Sequence, residues 1–194
     1  PGFAHALDRL GRLLAVSGRR DEAIRRYEDA IAANPKNQDV YYLLGRELAA
    51  GGDKEGARKR FEEALALNPD DARAHNELGE LLSEAGDKEG AMRHYEAALR
   101  IAPQFGYVLY KMGKLLAEQG RQEEAEKRFQ EAINLDPDNQ DLHYLMGREL
   151  VARGKLDEAR TFFEDALRMN PRDARSHNDL GMLIGAKDPE TALK

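Results

Sequence analysis

A glycine returns every 34 residues along this chain, at Gly11, Gly45, Gly79, Gly113, Gly147 and Gly181. A second ladder with the same step holds Gly18, Gly52, Gly86, Gly120 and Gly154. Alanines follow at Ala23, Ala57, Ala91, Ala125 and Ala159, and again at Ala30, Ala64, Ala98, Ala132 and Ala166. Between them stand the aromatics Tyr27, Phe61, Tyr95, Phe129 and Phe163, and Pro35, Pro69, Pro103, Pro137 and Pro171 close each stretch. A chain so self-similar folds as stacked copies of one small unit, each burying its apolar face on a neighbour.

Each ladder has a physical reading. Leu44, Gly45 and Leu48 share one helical face, as do Ala57, Phe61, Ala64 and Leu65, which predicts two amphipathic helices per unit, A and B. Glycine inside a helix costs about 1 kcal/mol against alanine, so the first ladder implies close packing that leaves no room for a side chain. The second suits the residue just past the end of helix A. Asp21, Glu55, Glu89, Glu123 and Asp157 stand three residues later, where the positive start of helix B favours an acid. The alanines let A and B approach, the aromatic is expected to fill the gap between units, and proline stops helix B.

This pattern resembles the tetratricopeptide repeat (TPR) family, whose unit is a 34-residue helix–turn–helix. The resemblance covers repeats 4–37, 38–71, 72–105, 106–139 and 140–173, with a partial sixth from 174 to 194. Its Leu-Gly pair stands as Leu10-Gly11, Leu44-Gly45, Leu78-Gly79, Met112-Gly113, Met146-Gly147 and Leu180-Gly181. The tryptophan usual near the start of each unit is replaced by Leu7, Tyr41, His75, Leu109, His143 and His177. The implied fold is an all-α, TPR-type α-solenoid, a right-handed superhelix of antiparallel helix pairs. Asp188-Pro189-Glu190 reads as the start of a sixth helix B, and neither end reads as a complete polar cap. The chain is therefore expected to be a single array from 1 to 194, cut from a longer protein.

A longer period is laid over the short one. Residues 37–82 and 139–184, 102 positions apart, share 27 identities in 46 positions. Many lie outside the fold-defining ladders: Tyr42/Tyr144, Arg46/Arg148, Glu47/Glu149, Arg73/Arg175 and Asn76/Asn178. The array reads ABCABC, either as an undiverged duplication or as one surface feature wanted twice.

By the resemblance, helix A lines a concave groove that binds peptide segments. The ligand-facing places hold Arg12; Asp39, Tyr42 and Arg46; Arg73 and Asn76; Tyr107, Tyr110 and Lys114; Asp141, Tyr144 and Arg148; Arg175 and Asn178. Tyrosine and arginine are common anchors of binding hot spots, and Asn76 and Asn178 can hold a peptide backbone by donating and accepting. The expected partner is a protein or peptide segment with spaced acidic residues. Internal pairing, such as Asp39 with Arg46, is the alternative for single residues. A carboxylate clamp is not expected, because Asp8, Tyr42, Asn76 and Tyr110 supply no base where the family's clamp has one. Self-assembly into a homo-oligomer is the alternative function, and a third is the recognition arm of a larger enzyme such as a TPR-bearing glycosyltransferase.

Other chemistries are poorly served. The chain has no cysteine, so disulfides, thiol catalysis and Cys-ligated metal sites are excluded. Its net charge of −6 opposes the phosphate backbone of nucleic acid. No apolar run reaches the roughly 18 residues of a membrane span, and no signal peptide is recognisable. The setting is expected to be cytoplasmic. His5, His75, His94, His143 and His177 have no metal-ligand spacing, and those at the shared repeat place are expected to pack between helices. Neither cofactor nor catalytic activity is expected.

Overall fold

The computed structural model describes residues 2–187. They form eleven helices and, among the described residues, no strand: α1 (Gly2–Val16), α2 (Arg20–Ala33), α3 (Gln38–Ala50), α4 (Lys54–Leu67), α5 (Ala72–Glu84), α6 (Lys88–Ile101), α7 (Gly106–Glu118), α8 (Gln122–Leu135), α9 (Gln140–Ala152), α10 (Leu156–Met169) and α11 (Ala174–Lys187). The helix expected from Asp188 lies outside the described residues. No helix among them is long and apolar enough to cross a membrane. The chain divides into two compact units, residues 1–103 with α1–α6 and residues 104–194 with α7–α11.

In the first unit α1 packs on α2, α3 on α4 and α5 on α6; in the second α7 packs on α8 and α9 on α10, with α11 against α10. Every A-to-B joint is built alike. Gly18, Gly52, Gly86, Gly120 and Gly154 have φ between 73° and 90°, the left-handed conformation that L side chains avoid. At the α3–α4 joint the Gly52 amide donates to the Ala49 carbonyl at 3.0 Å and the Asp53 amide to the Leu48 carbonyl at 2.9 Å, the two bonds of a Schellman end. Helix B then opens on acids, as expected, and in α4 and α6 also on Asp53 and Asp87, whose side chains accept from Gly56 and Gly90 amides.

The first glycine ladder packs on the aromatic ladder of the same helix pair. A Cβ on Gly45 would sit 2.6 Å from Phe61 Cε1, and one on Gly147 2.5 Å from Phe163 Cε1. The aromatic therefore rests on its own helix A as well as reaching the next unit: Phe61 clusters with Tyr42 and Ala57 and also with Ala74 and Leu78 of α5. Gly45→Ala is expected to destabilise the chain by about 1–3 kcal/mol through this overlap, although alanine is the better helix former. Urea denaturation checks it; an equally or more stable variant would show that the ring has room to move.

Two of the histidines at the shared place pack against helix B, His75 on His94 of α6 and His143 on Phe162 of α10, and all three also hold a turn. The ring Nε2 of His75, His143 and His177 lies 3.1, 2.9 and 2.9 Å from the carbonyl oxygens of Pro69, Pro137 and Pro171, and the Tyr41 hydroxyl lies 3.2 Å from that of Pro35. A carbonyl only accepts, so each ring carries its proton on Nε2 and ties the turn after helix B to the next helix A. In unit one this makes His75 Nδ1 an acceptor, and it faces His94 Nδ1 at 2.9 Å. Burial, reinforced by His75, pushes the His94 imidazole below its usual range. No group of three or more metal-ligating side chains gathers among the described residues.

Candidate functional site

The 102-residue duplication appears in three dimensions as one side-chain cluster built twice, once in each unit. In unit one the N-cap Asp71 is buried and accepts from the Arg73 and Ala74 amides. Its two carboxylate oxygens also take Arg73 Nε at 3.0 Å and Nη2 at 2.7 Å. Arg73 Nη2 further reaches Asp39 Oδ1 at 2.7 Å, and the guanidinium lies 4.6 Å over the Tyr42 ring. Tyr42 in turn meets Phe61, centroid to centroid, at 5.9 Å.

Unit two repeats the motif. Arg175 bonds Asp173 through Nε at 3.0 Å and Asp141 through Nη2 at 2.6 Å. It lies 4.7 Å over Tyr144, which meets Phe163 at 6.0 Å. Here Asp173 also accepts from the Ser176 hydroxyl at 2.6 Å and the Gln140 amide at 2.9 Å.

Internal pairing, the alternative for single groove residues, holds for Asp39, but its partner is Arg73 and not Arg46 seven residues along its own helix. The reason is register: Asp39 and Arg73 hold the same place in consecutive units, so adjacent A helices bring them side by side. Asp71 and Asp173 were missed altogether. They lie just before helix A, outside the groove places, and the signal for them was the shared Asp-Ala-Arg of both copies.

Burial resists the charge on Asp71, but hydrogen bonds from Arg73 and the backbone outweigh it and hold its carboxyl below the usual range. Asp173 is held down in the same way by Ser176 and Arg175. A carboxyl with a lowered folded pKa stabilises above its unfolded value, about 3.9, and loses that contribution as pH falls through the folded value. The Asp71→Asn/Asp173→Asn double variant is therefore expected to be less stable at pH 7 and to show a flatter loss of stability between about pH 4.5 and 2. Urea midpoints measured across that range check the slope, and parallel profiles for variant and parent would refute the assignment.

The fourteen groove residues separate by accessibility. Tyr42, Tyr110 and Tyr144 are buried to 7–8% exposure and Asn76 to 6%, so they back the surface rather than project from it. Burial pushes the Tyr110 phenol up to about 12 and also raises that of Tyr42. Tyr107 is exposed and stacks on Tyr110 at 6.2 Å. Asn178 is exposed, whereas the Asn76 Oδ1 finds no hydrogen-bond partner. Arg12 is held by Asp8 at 2.8 Å and Arg148 loosely by Asp179 at 3.9 Å. Arg46, Lys114, Arg73, Arg175 and Asp141 have solvent-accessible side chains, and Asp39 is half-buried.

Unit two hollows out between its A helices. A cavity of about 580 Å³ between α7 and α9 is lined by Lys114, Ala117, Glu118, Glu149, Ala152 and Arg153, among others. Burial raises the Glu149 carboxyl there. A second, of about 700 Å³ between α9 and α11, is walled by Tyr144, Arg148, Val151, Leu156, Met182 and Leu183 and shares Ala152 with the first. Three of the groove residues read from the sequence, Lys114, Tyr144 and Arg148, thus line the two cavities.

Comparison with known proteins follows the helix pairs. A search of curated protein sequences returned no match. Among solved structures, a thermophilic TPR protein of Thermus thermophilus is 23% identical, with TM-score 0.79 over 93% of this chain and 98% of that one. The pilF protein of Pseudomonas aeruginosa is 20% identical, with TM-score 0.78 over 99% of this chain and 88% of that one. YrrB, described as a TPR protein with an unusual peptide-binding site, is 19% identical, with TM-score 0.63 over 89% of each chain. At these identities the likeness is one of fold, the all-α solenoid of TPR helix pairs. Family models described as tetratricopeptide repeat match residues 9–57 and 42–104, and residues 82–148 and 116–180. The chain belongs to the tetratricopeptide repeat family.

Proposed function

We propose that this chain is a protein-interaction scaffold that holds a peptide segment of its partner against the exposed face of its A helices. The observation that carries this reading is the pair of adjoining cavities in unit two, which share Ala152 and are lined by Lys114, Tyr144 and Arg148. The α9–α11 cavity has the mostly apolar lining with a few placed polar groups that ligands favour, and the α7–α9 cavity continues it with a largely charged wall. Lys114 and Arg148 favour a segment with acidic residues. Tyr144 acts from beneath, as a rigid wall closed on its far side by Arg175.

The test is selection of phage-displayed dodecapeptides on the whole chain, followed by fluorescence anisotropy with the selected peptides. Arg148→Ala and Lys114→Ala are expected to weaken binding about tenfold each, or about 1.4 kcal/mol, with the circular dichroism spectrum unchanged. Undiminished binding by both variants removes the groove assignment.

A second reading, self-association, rests on one face of α1, where Phe3, Leu10 and Leu13 are 72%, 43% and 66% exposed. Contiguous exposed apolar surface of this kind marks interaction sites. Light scattering over a wide concentration range tests it; a mass near 21.8 kDa throughout would exclude it.

A further inference from the structure

The two copies of the duplicated surface share their Tyr–Arg–Asp cluster, yet three of the positions at which they differ gather around one cavity of the second copy. Around the α9–α11 cavity, Val151 stands where the first copy has Ala49, Leu156 where it has Lys54, and Met182 where it has Glu80. In the first copy Lys54 is bridged to Glu84 at 3.0 Å, tying α4 to α5 across the lip. No such tie is possible at Leu156. All three replacements run in the same direction, from polar or small to large and apolar, while Arg148 and Asp179 keep the charges of Arg46 and Glu77. Val151 and Met182, 38% and 61% exposed, lie together in the lining of that cavity with Leu156 and Leu183.

Resting on the peptide-binding reading above, we propose that the α9–α11 cavity is an anchor subsite. It takes one large apolar side chain (Leu, Ile, Met or Phe) of the partner segment, flanked by a carboxylate that meets Arg148. The volume of about 700 Å³ admits such a side chain together with its backbone. The charge pattern fixes the neighbour. Arg148 has its side chain 63% exposed, and its ion pair with Asp179 is long at 3.9 Å, so a closer carboxylate from a ligand improves on it. Asp179 is itself mostly covered, with 18% of its side chain exposed. The apolar wall thus faces the ligand with a base at its edge. The homologous place in the first copy, with Lys54 and Glu80, recognises no apolar anchor. The duplication is then used asymmetrically: the same arginine twice, the apolar seat once.

The experiment exchanges the chemistry of the two copies. Dodecapeptides displayed on phage are selected on the whole chain and assayed by anisotropy against Met182→Glu and Leu156→Lys, each of which installs the residue its own duplicate already carries in a folded helix. The selected peptides are expected to share a Leu, Ile, Met or Phe beside an Asp or Glu. Either variant, or alanine at that apolar peptide position, should weaken binding about tenfold, and the two losses should not add. The Met182 methyl resonance should shift on peptide addition. If Arg148→Ala weakens binding while Met182→Glu and Leu156→Lys leave it unchanged, the groove reading stands and the anchor subsite falls. If no helix-A variant matters, both fall. A Met182 signal that moves with protein concentration alone assigns the cavity to a second copy and overturns the proposal.

Discussion

Phe163→Ala is expected to remove about 3–5 kcal/mol of stability, the usual cost of emptying a large aromatic from a packed core. The ring is fully buried and joins Tyr144, Leu150, Ala159 and Ala166, with Leu180 and Leu183 of α11 packed against the same cluster. Its nearest wall is the bare backbone of Gly147, where even a Cβ would lie 2.5 Å from the ring. Gly147 has no side chain to lean into the space, so relaxation of the remaining neighbours closes the cavity only in part. Phe163→Tyr should cost far less, because Tyr27 and Tyr95 occupy the same repeat place in a buried state. Urea denaturation followed by circular dichroism gives both numbers. A loss below about 1 kcal/mol for the alanine variant would mean that the pair collapses around the gap, contrary to the geometry. Because Leu183 belongs to both this cluster and the α9–α11 cavity, peptide binding should weaken in parallel.

Asp173→Ala is the second large effect, at about 2–4 kcal/mol. Losing a side-chain N-cap accounts for about 1 kcal/mol. The rest comes from Ser176, which is fully buried and donates its hydroxyl to Asp173 at 2.6 Å; a buried donor left without its acceptor costs about 1–3 kcal/mol. The duplicate provides the control. At Asp71 the residue three places on is Ala74, not serine, so Asp71→Ala leaves no hydroxyl stranded and should cost distinctly less. Adding Ser176→Ala to Asp173→Ala should recover part of the loss. Equal costs at the two aspartates, or no recovery in the double variant, would show that the hydroxyl is not what matters.

The helix pairs and joints were legible because they depend on local chemistry. A glycine past the end of helix A, an acid at the start of B and an aromatic opposite a glycine each repeat five times, and the same local reading holds at every repeat. The clusters were only half legible. Asp39 and Arg73 are 34 residues apart, and nothing within one helix says that equal places in consecutive units touch. Asp71 and Asp173 sit in turns, where a reading confined to helix faces does not look. Tyr42, Tyr110 and Tyr144 looked like exposed anchors because a helical wheel gives a direction but not what lies above it. For Tyr42 and Tyr144 that cover is an arginine from the following A helix. The apolar shift at Val151, Leu156 and Met182 was present in the aligned copies, but it acquires meaning only when all three prove to line one cavity.

The uniform A-to-B joint governs how such a chain can change length. Each left-handed glycine and its two amide bonds fix how the chain leaves one helix and enters the next. One residue added between the joint and the aromatic would turn the following helix by about 100° and carry its alanine–aromatic stripe off the partner. Within the helix pairs, growth or loss is therefore tolerated in whole steps of 34 residues, and single insertions are expected in the turns between helix B and the next helix A, which the joint does not govern.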